Sequence, residues 1–167
     1  LAYMLIVKTG APPVAILEDG RPIPDGAIFN RALAPRIESS ESGATIVATL
    51  DGAPFTSGSS ISTDGDHHLR ATATDDLGNT GTAEARFTID RTPPAVTIAS
   101  PANGATIDAD RVDVTGSHTD AVEITVNGRT ATISGSAFSA AGIPLELGTN
   151  AIVANAADRA GNSARHA

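Results

Sequence analysis

The sequence predicts an all-β fold built from two tandem β-sandwiches in line. Three observations support this prediction. Apolar residues alternate with polar ones over short stretches that are separated by turn signals, which is the pattern of half-buried strands. A distinctive turn motif occurs twice, about one small domain apart. No stretch combines helix-capping residues with a sustained 3.6-residue apolar period, so we expect little helix.

The repeat is carried by residues 73–80, Ala-Thr-Asp-Asp-Leu-Gly-Asn-Thr, which return as residues 156–163, Ala-Ala-Asp-Arg-Ala-Gly-Asn-Ser. The Pro-Pro pair at residues 12–13 likewise returns at residues 93–94. A period of roughly 80 residues is too long for a solenoid coil and suits a small domain used in series.

These landmarks predict the domain organisation. Domain 1 is expected at residues 12–91 and domain 2 at residues 92–167, with an N-terminal apolar strand in residues 1–11. The linker between the domains is short. Its two prolines favour an extended, semi-rigid connection.

Within each domain the apolar pattern predicts short strands. In domain 1, residues 69–74 and 82–89 alternate on either side of the repeated turn, which predicts a hairpin. In domain 2, residues 122–126 alternate and run into Asn127-Gly128, the strongest short hairpin signal. Six or seven such strands per domain, with a turn every ~8–12 residues, predict two-sheet sandwiches of the immunoglobulin-like (Ig-like) type.

The same motifs carry a family resemblance. Residues 87–94, Phe-Thr-Ile-Asp-Arg-Thr-Pro-Pro, together with the turn at 73–80, resemble the tandem bacterial Ig-like domains of large secreted and cell-surface proteins. In the second domain, residues 100–104, 126–128 and 157–162 look like the Ig-like module known from glucodextranase. The resemblance implies a non-catalytic β-sandwich in an exported, multi-domain protein. It implies no particular ligand, because the fold carries many functions.

Composition excludes several classes of function. The net charge is −8, from 11 basic and 19 acidic side chains, and Lys8 is the only lysine. Nucleic-acid binding is not expected, because it needs clustered Lys and Arg. The absence of Cys excludes disulfides and thiol chemistry, and the absence of Trp, with one Tyr, leaves little to stack on a sugar ring. The longest apolar run, residues 1–7, is too short to cross a bilayer.

The repeated Asp-x-x-Gly-Asn turn offers the most distinctive polar groups. On the simpler interpretation, Asp75 and Asp158 cap their turns through nearby main-chain N–H groups while the glycine takes a positive φ. On the alternative, Asp75, Asp76, Asn79 and Asp90 supply oxygens to a Ca²⁺ ion that stiffens the joint between the domains. These are only four candidate ligands, whereas calcium takes six to eight oxygens. No other cofactor is expected.

The histidines do not predict an active site. His67 and His68 are adjacent, so on a strand they point to opposite faces and cannot share a metal ion. His118 lies close to Ser117 and Asp120 in sequence, but neighbouring loop residues provide neither the geometry nor the oxyanion hole of a catalytic triad. We assign no catalytic residues and expect no enzymatic activity.

The two ends of the chain are out of phase with the repeat. By analogy with residues 80–90, a final strand should follow the second turn, but only residues 163–167 remain, so we expect the final strand of domain 2 to be missing. Conversely, residues 1–8 precede the first Pro-Pro pair, just as residues 86–89 precede the second pair. By this analogy, residues 1–8 correspond to a last strand. This segment is apolar on both faces, which suits a buried strand.

Two explanations account for these ends. The chain is a segment of a longer array, in which residues 1–11 hold the last strand of a preceding domain. Alternatively, residues 1–8 of one copy complete the open sandwich of another copy, and such a head-to-tail contact builds a filament. The side chains that would make this assembly contact are Leu1, Tyr3, Leu5 and Val7.

Taken together, these features predict a non-catalytic structural or adhesive stalk element on the bacterial cell surface or in the extracellular space. Its expected partners are proteins, either neighbouring Ig-like domains or copies of itself in a homopolymer. An acidic, aromatic-poor surface suits solubility and mutual repulsion along an array. The main alternative is an accessory module of a secreted polysaccharide-active or proteolytic enzyme, and the second is a calcium-stiffened adhesin segment.

Overall fold

The structure is a computed structural model that describes residues 10–167. It divides into two compact units, of which the first ends at Asp90 and the second is Arg91–Ala167. All regular secondary structure in the described part of the chain is β-strand, which confirms the predicted all-β fold class. Within residues 10–167 there is no helix with the length and apolar character that a membrane span requires.

The first unit has its strands in two sheets. One sheet has the order β2-β1-β4 and the other the order β3-β8-β7-β5-β6. The strand β3 runs parallel to β8, and the other neighbouring pairs are antiparallel. The strand bounds are β1 Val14–Glu18, β2 Arg21–Pro22, β3 Ala27–Phe29, β4 Arg36–Ser39, β5 Thr45–Leu50, β6 Ala53–Pro54, β7 Gly65–Thr74 and β8 Thr80–Ile89.

The hairpin of β7 and β8 forms the centre of the first unit. Its register runs without interruption from Thr74 opposite Thr80 to Gly65 opposite Ile89. Alternate residues on each strand point to the core, because side chains along a strand alternate between its faces. The buried side chains on these two strands include Leu69, Ala71, Ala85, Phe87 and Ile89, as the sequence pattern predicts.

The second unit is also a two-sheet sandwich. One sheet has the order β13-β14-β10-β9 and the other β12-β11-β15-β16, and all neighbouring strands in both sheets are antiparallel, as in Ig-like sandwiches. The strand bounds are β9 Ala95–Ser100, β10 Arg111–Thr119, β11 Glu123–Val126, β12 Arg129–Thr130, β13 Thr132–Ser134, β14 Ala137–Pro144, β15 Ala154–Ala157 and β16 Ser163–His166.

The core of the second unit is small and aliphatic. Val114, Ile124, Val126 and Ile143 are at most 1% exposed, and Phe138 supplies the one buried aromatic ring of this cluster. Thin β layers of Val, Ile and Ala explain how the unit packs without tryptophan.

The final strand of the second unit is present, contrary to expectation. Residues 163–166 form β16 and pair antiparallel with β15, from Ala157 opposite Ser163 to Ala154 opposite His166. The preceding turn sets this register, because the Asp158 main-chain N–H donates to the carbonyl of Asn162 at 3.1 Å. The strand is short, at four residues against the ten of β8.

Candidate functional site

The repeated turn is built in the same way in both units. In the first, Asp75 Oδ1 accepts hydrogen bonds from the main-chain N–H groups of Leu77 at 2.9 Å and Asn79 at 2.8 Å, and its Oδ2 accepts from Asn79 Nδ2 at 2.8 Å. In the second, Asp158 Oδ1 accepts from the Asn162 main-chain N–H at 2.8 Å and its Oδ2 from Asn162 Nδ2 at 2.9 Å. Both aspartates are buried. Hydrogen bonding of this kind is what allows a carboxylate to be buried.

The residues proposed as calcium ligands do not all come together. Asp75 and Asp76 lie beside Glu41, with one carboxylate oxygen from each within 4.8 Å of the others. Asn79 is in the same turn, but its side-chain nitrogen is directed at Asp75. Asp90 follows the opposite end of β8, and a ten-residue strand is about 30 Å long.

Glu41 was not among the sequence-predicted ligands. It lies in the loop before β5, and the pairing of Thr45 with Thr74 brings that loop to the turn. No local sequence signal marks this neighbourhood, because it depends on a strand pairing across about 30 residues. Calcium binding at the turn stays a prediction, and its candidate oxygen donors now include Glu41 in place of Asp90.

His67 is held between two hydrogen-bond acceptors. Its Nδ1 is 2.8 Å from Asp51 Oδ2, and its Nε2 is 2.8 Å from the main-chain oxygen of Thr63. Both partners can only accept, and a neutral imidazole has a single N–H. The protonated ring therefore satisfies both contacts. The neighbouring His68 points to the other face of β7, where its Nε2 is 3.0 Å from Glu84 Oε2.

The pKa shifts of His67 and Asp51 agree with the geometry of their contact. Burial alone lowers the pKa of His67, but the hydrogen bonds to Thr63 and Asp51 and the negative charge of Asp51 outweigh it, and the pKa is raised. Burial likewise raises the pKa of Asp51, but hydrogen bonds from the His68 main-chain N–H and the His67 ring outweigh it, and that pKa is lowered. The result is an ion pair that ties the turn between β5 and β6 to β7.

Ser117, His118 and Asp120 of the second unit are not assembled into a catalytic arrangement. His118 is buried on β10, and neither of its ring nitrogens has a hydrogen-bond partner among the described residues. Ser117 is the adjacent residue on the same strand and is exposed, so the two side chains lie on opposite faces. Asp120 lies beyond the end of β10 with a φ of 60°.

A cleft of about 1110 Å³ lies in the second unit and was not predicted from the sequence. Its walls are the loop of residues 101–110, between β9 and β10, and residues 145–152, between β14 and β15. Ile98, Val112 and Ile152 line it and also pack against the core. Two large apolar side chains of the walls, Ile107 and Leu147, are exposed.

The charged side chains that line the cleft are carboxylates. Asp108, Asp110 and Glu146 line it, and its lining contains no Lys or Arg among the described residues. The residues predicted to make an assembly contact, Leu1, Tyr3, Leu5 and Val7, lie outside the described part of the chain.

Comparison with known proteins identifies a family match for the second unit. Residues 94–167 match the sequence model of the family described as glucodextranase, domain B. This match covers less than half of the chain and nearly all of the second unit. No curated protein matches the chain significantly.

Solved structures with a similar arrangement are distant in sequence. The fibronectin(III)-like modules of Clostridium thermocellum CbhA are 10% identical, with 90% of each chain covered and a TM-score of 0.47. The SGBP-B protein of a Bacteroides ovatus mixed-linkage glucan utilization locus is 15% identical, with 94% of this chain and 46% of that chain covered and a TM-score of 0.34. A 1.5-MDa bacterial ice-binding adhesin is 13% identical, with 95% and 63% covered and a TM-score of 0.35.

The chain spans about half and about two thirds of the length of the latter two proteins. With TM-scores below 0.5, none of the three likenesses bears on function. The fold and the family match together support an Ig-like module of secreted proteins, and the second unit is similar to domain B of glucodextranase.

Proposed function

We propose that the chain is a non-catalytic structural element of an exported, multi-domain protein, in which two Ig-like units space or present neighbouring domains. The observation that carries this proposal is that the most distinctive buried polar side chains form hydrogen bonds within their own unit. The buried carboxylates Asp75 and Asp158 accept hydrogen bonds from their own turns, and the buried His67 pairs with Asp51 of its own unit. These groups stabilise each sandwich.

Export to the cell surface or the medium is part of this proposal. It is supported by the match of residues 94–167 to a domain of glucodextranase and by the motifs that resemble bacterial surface arrays. The acidic charge of −8 favours repulsion between neighbouring modules and hence an extended array.

A spacer requires a stiff connection between its units. Pro93 and Pro94 restrict the chain between the units, because proline fixes φ and disfavours the α region for the residue before it. We therefore expect one preferred distance between the units in solution.

The absence of cysteine makes this expectation easy to test. Spin labels attached through Ser60→Cys and Ser136→Cys, both exposed positions in different units, report the distribution of interunit distances by pulsed electron paramagnetic resonance. A single narrow distribution that broadens when Pro93 and Pro94 are replaced by glycine is expected. A broad distribution in the unsubstituted linker contradicts the spacer proposal.

A second candidate function is an accessory role beside a polysaccharide-active catalytic domain, and the family match of the second unit favours it. Affinity electrophoresis through a gel that contains glucodextran separates the two candidates. The structural role predicts unchanged mobility, because sugar platforms usually stack aromatic rings on the saccharide and the described residues contain no Trp or Tyr. Retardation by the polysaccharide supports the accessory role.

A further inference from the structure

The sequence contains two Asn-Gly pairs, both in the second unit, and their structural environments differ. The pairs are Asn103-Gly104 and Asn127-Gly128. Because glycine has no Cβ, little hinders the approach of its main-chain nitrogen to the side-chain carbonyl carbon of the asparagine before it. This approach is the first step of asparagine deamidation, and the folded structure decides which pair can make it.

The side chain of Asn127 is held at both of its polar atoms. Its Nδ2 donates to the carbonyl of Ala151 at 2.9 Å, and its Oδ1 accepts from the main-chain N–H of Val153 at 2.8 Å. The turn itself is regular, since Asn127 and Gly128 have φ values of 47° and 80° and join β11 to β12 as a type I′ hairpin does. Attack on the side-chain carbon of Asn127 therefore requires both side-chain hydrogen bonds to break first.

Asn103 has neither of these restraints. It lies with Gly104 at exposed positions in the loop of residues 101–110, and its side chain forms no hydrogen bond with any residue that the structure describes. The main-chain N–H of Ala105 donates to the carbonyl of Ala102 at 3.0 Å. With a φ of 78° at Gly104 only, these four residues form a type II turn, which is closed without the side chain of Asn103.

The attacking group next to Asn103 is also accessible. A Cβ placed on Gly104 would meet no atom within 4 Å outside its immediate chain neighbours. Within the described part of the chain, the main-chain nitrogen of Gly104 donates no hydrogen bond. Exposed side chains change rotamer on the picosecond-to-nanosecond timescale, so Asn103 can reach the geometry of attack without any loss of folded structure.

We propose that Asn103 is a site of spontaneous deamidation and that the fold protects Asn127 from the same reaction. The main-chain nitrogen of Gly104 bonds to Cγ of Asn103 and gives up its proton to solvent, while the side-chain nitrogen takes up a proton and leaves as ammonia. The product is a cyclic succinimide. Water then opens the ring at either carbonyl carbon, which yields aspartate or isoaspartate. One water is consumed for each ammonia released, and no oxidant, reductant or enzyme is needed.

Either product changes the loop. Aspartate adds a negative charge to a segment that already carries Asp108 and Asp110. Isoaspartate lengthens the main chain by one carbon inside the turn that the bond between Ala105 and Ala102 closes, so it disturbs that turn. The reaction is independent of the proposed structural role, because it depends only on the loop around residue 103.

The test is peptide mapping of the unsubstituted protein after incubation in mildly alkaline buffer. Trypsin cleaves after Arg91, Arg111 and Arg129. These cleavages place the two Asn-Gly pairs on separate peptides, residues 92–111 and residues 112–129, and neither peptide contains a further asparagine. Mass spectrometry measures the exchange of the amide for a carboxyl group in each peptide, and chromatography separates the aspartate and isoaspartate forms.

We expect Asn103 to deamidate at least about tenfold faster than Asn127 in the folded protein. A factor of ten corresponds to about 1.4 kcal/mol, which is within the range for breaking two hydrogen bonds. Deamidation of Asn103 that is as slow as that of Asn127 overturns the proposal.

The matched control is the same chain held unfolded in guanidinium chloride during the incubation. Unfolding removes the hydrogen bonds of Asn127, so the two sites are expected to react at similar rates there. A rate difference as large in the unfolded chain as in the folded one also overturns the proposal, because the neighbouring sequence and not the fold would then cause it.

Discussion

Replacing Asp75 with alanine tests whether the repeated turn is a structural cap. The change removes the acceptor of three hydrogen bonds, from the main-chain N–H groups of Leu77 and Asn79 and from Asn79 Nδ2. A hydrogen bond to a charged group contributes about 1.5–3 kcal/mol to stability, but these losses are not additive. The exposed turn around Leu77 lets water replace part of what is lost. We therefore expect the first unit to lose about 2–3 kcal/mol.

Differential scanning calorimetry of the whole chain measures this loss through the transition of the first unit. Asp75→Asn is expected to cost less than Asp75→Ala, about 1–2 kcal/mol. It keeps Oδ1 as the acceptor for both main-chain N–H groups, but these bonds lose their charge assistance and its amide nitrogen faces Asn79 Nδ2, which is also a donor. Leu77→Ala, which truncates an exposed side chain of the same turn and keeps the main-chain N–H that donates to Asp75, is the matched control and is expected to have little effect.

The same experiment separates the cap from a calcium site. A ligand that binds only the native state raises the free energy of unfolding, and the effect grows with ligand concentration relative to its Kd. If Asp75 acts as a calcium ligand, the stability loss caused by Asp75→Ala should therefore appear with calcium and disappear with EDTA. The cap predicts the same cost in both. A loss below about 0.5 kcal/mol, which is within the range of ordinary surface substitutions, or a loss that depends on calcium, refutes the account of the turn.

Two further predictions concern one unit each. The pKa of His67 is raised in the folded state. The contribution of His67 to stability is therefore fully present below its ordinary pKa of 6.5 and is lost as pH rises through the raised value. Asp51, whose pKa is lowered, stays charged across this pH range. Urea unfolding followed by circular dichroism should show this decline in the first unit, and His67→Gln should remove it; a decline that persists in His67→Gln assigns it to another group. Gly116→Ala should destabilise the second unit by about 3 kcal/mol, because a Cβ there overlaps the carbonyl oxygen of Thr97 and the ring of Phe138. Exposed Ser117→Ala is the control, and a calorimetric loss below about 1 kcal/mol for Gly116→Ala contradicts the packing.

Much of the fold could be predicted from local pattern. Alternation on β7 and β8 and the repeated turn between them identified the central hairpin, because each signal lies within about 25 residues of chain. The pairing of β3 with β8 could not be predicted in this way. The strand β3 has only three residues, Ala27–Phe29, and each pairs with a residue 60 positions later in the chain.

The short final strand was missed for a related reason. Residues 163–166, Ser-Ala-Arg-His, carry almost no apolar alternation, and their pairing follows from the turn that precedes them. Likewise, the neighbourhood of Glu41 and the cleft of the second unit arise where segments far apart in sequence meet through strand register. Local sequence patterns cannot report such neighbourhoods, although the repeat identified the turn residue Asp75 that lies beside Glu41.

The interunit distance between labels at residues 60 and 136 tests the central claim of a structural spacer most directly. A narrow distance distribution that is the same in calcium and in EDTA, and that broadens when Pro93 and Pro94 are replaced by glycine, is the predicted result. A broad distribution in the unsubstituted linker, or one that narrows only with calcium, contradicts it.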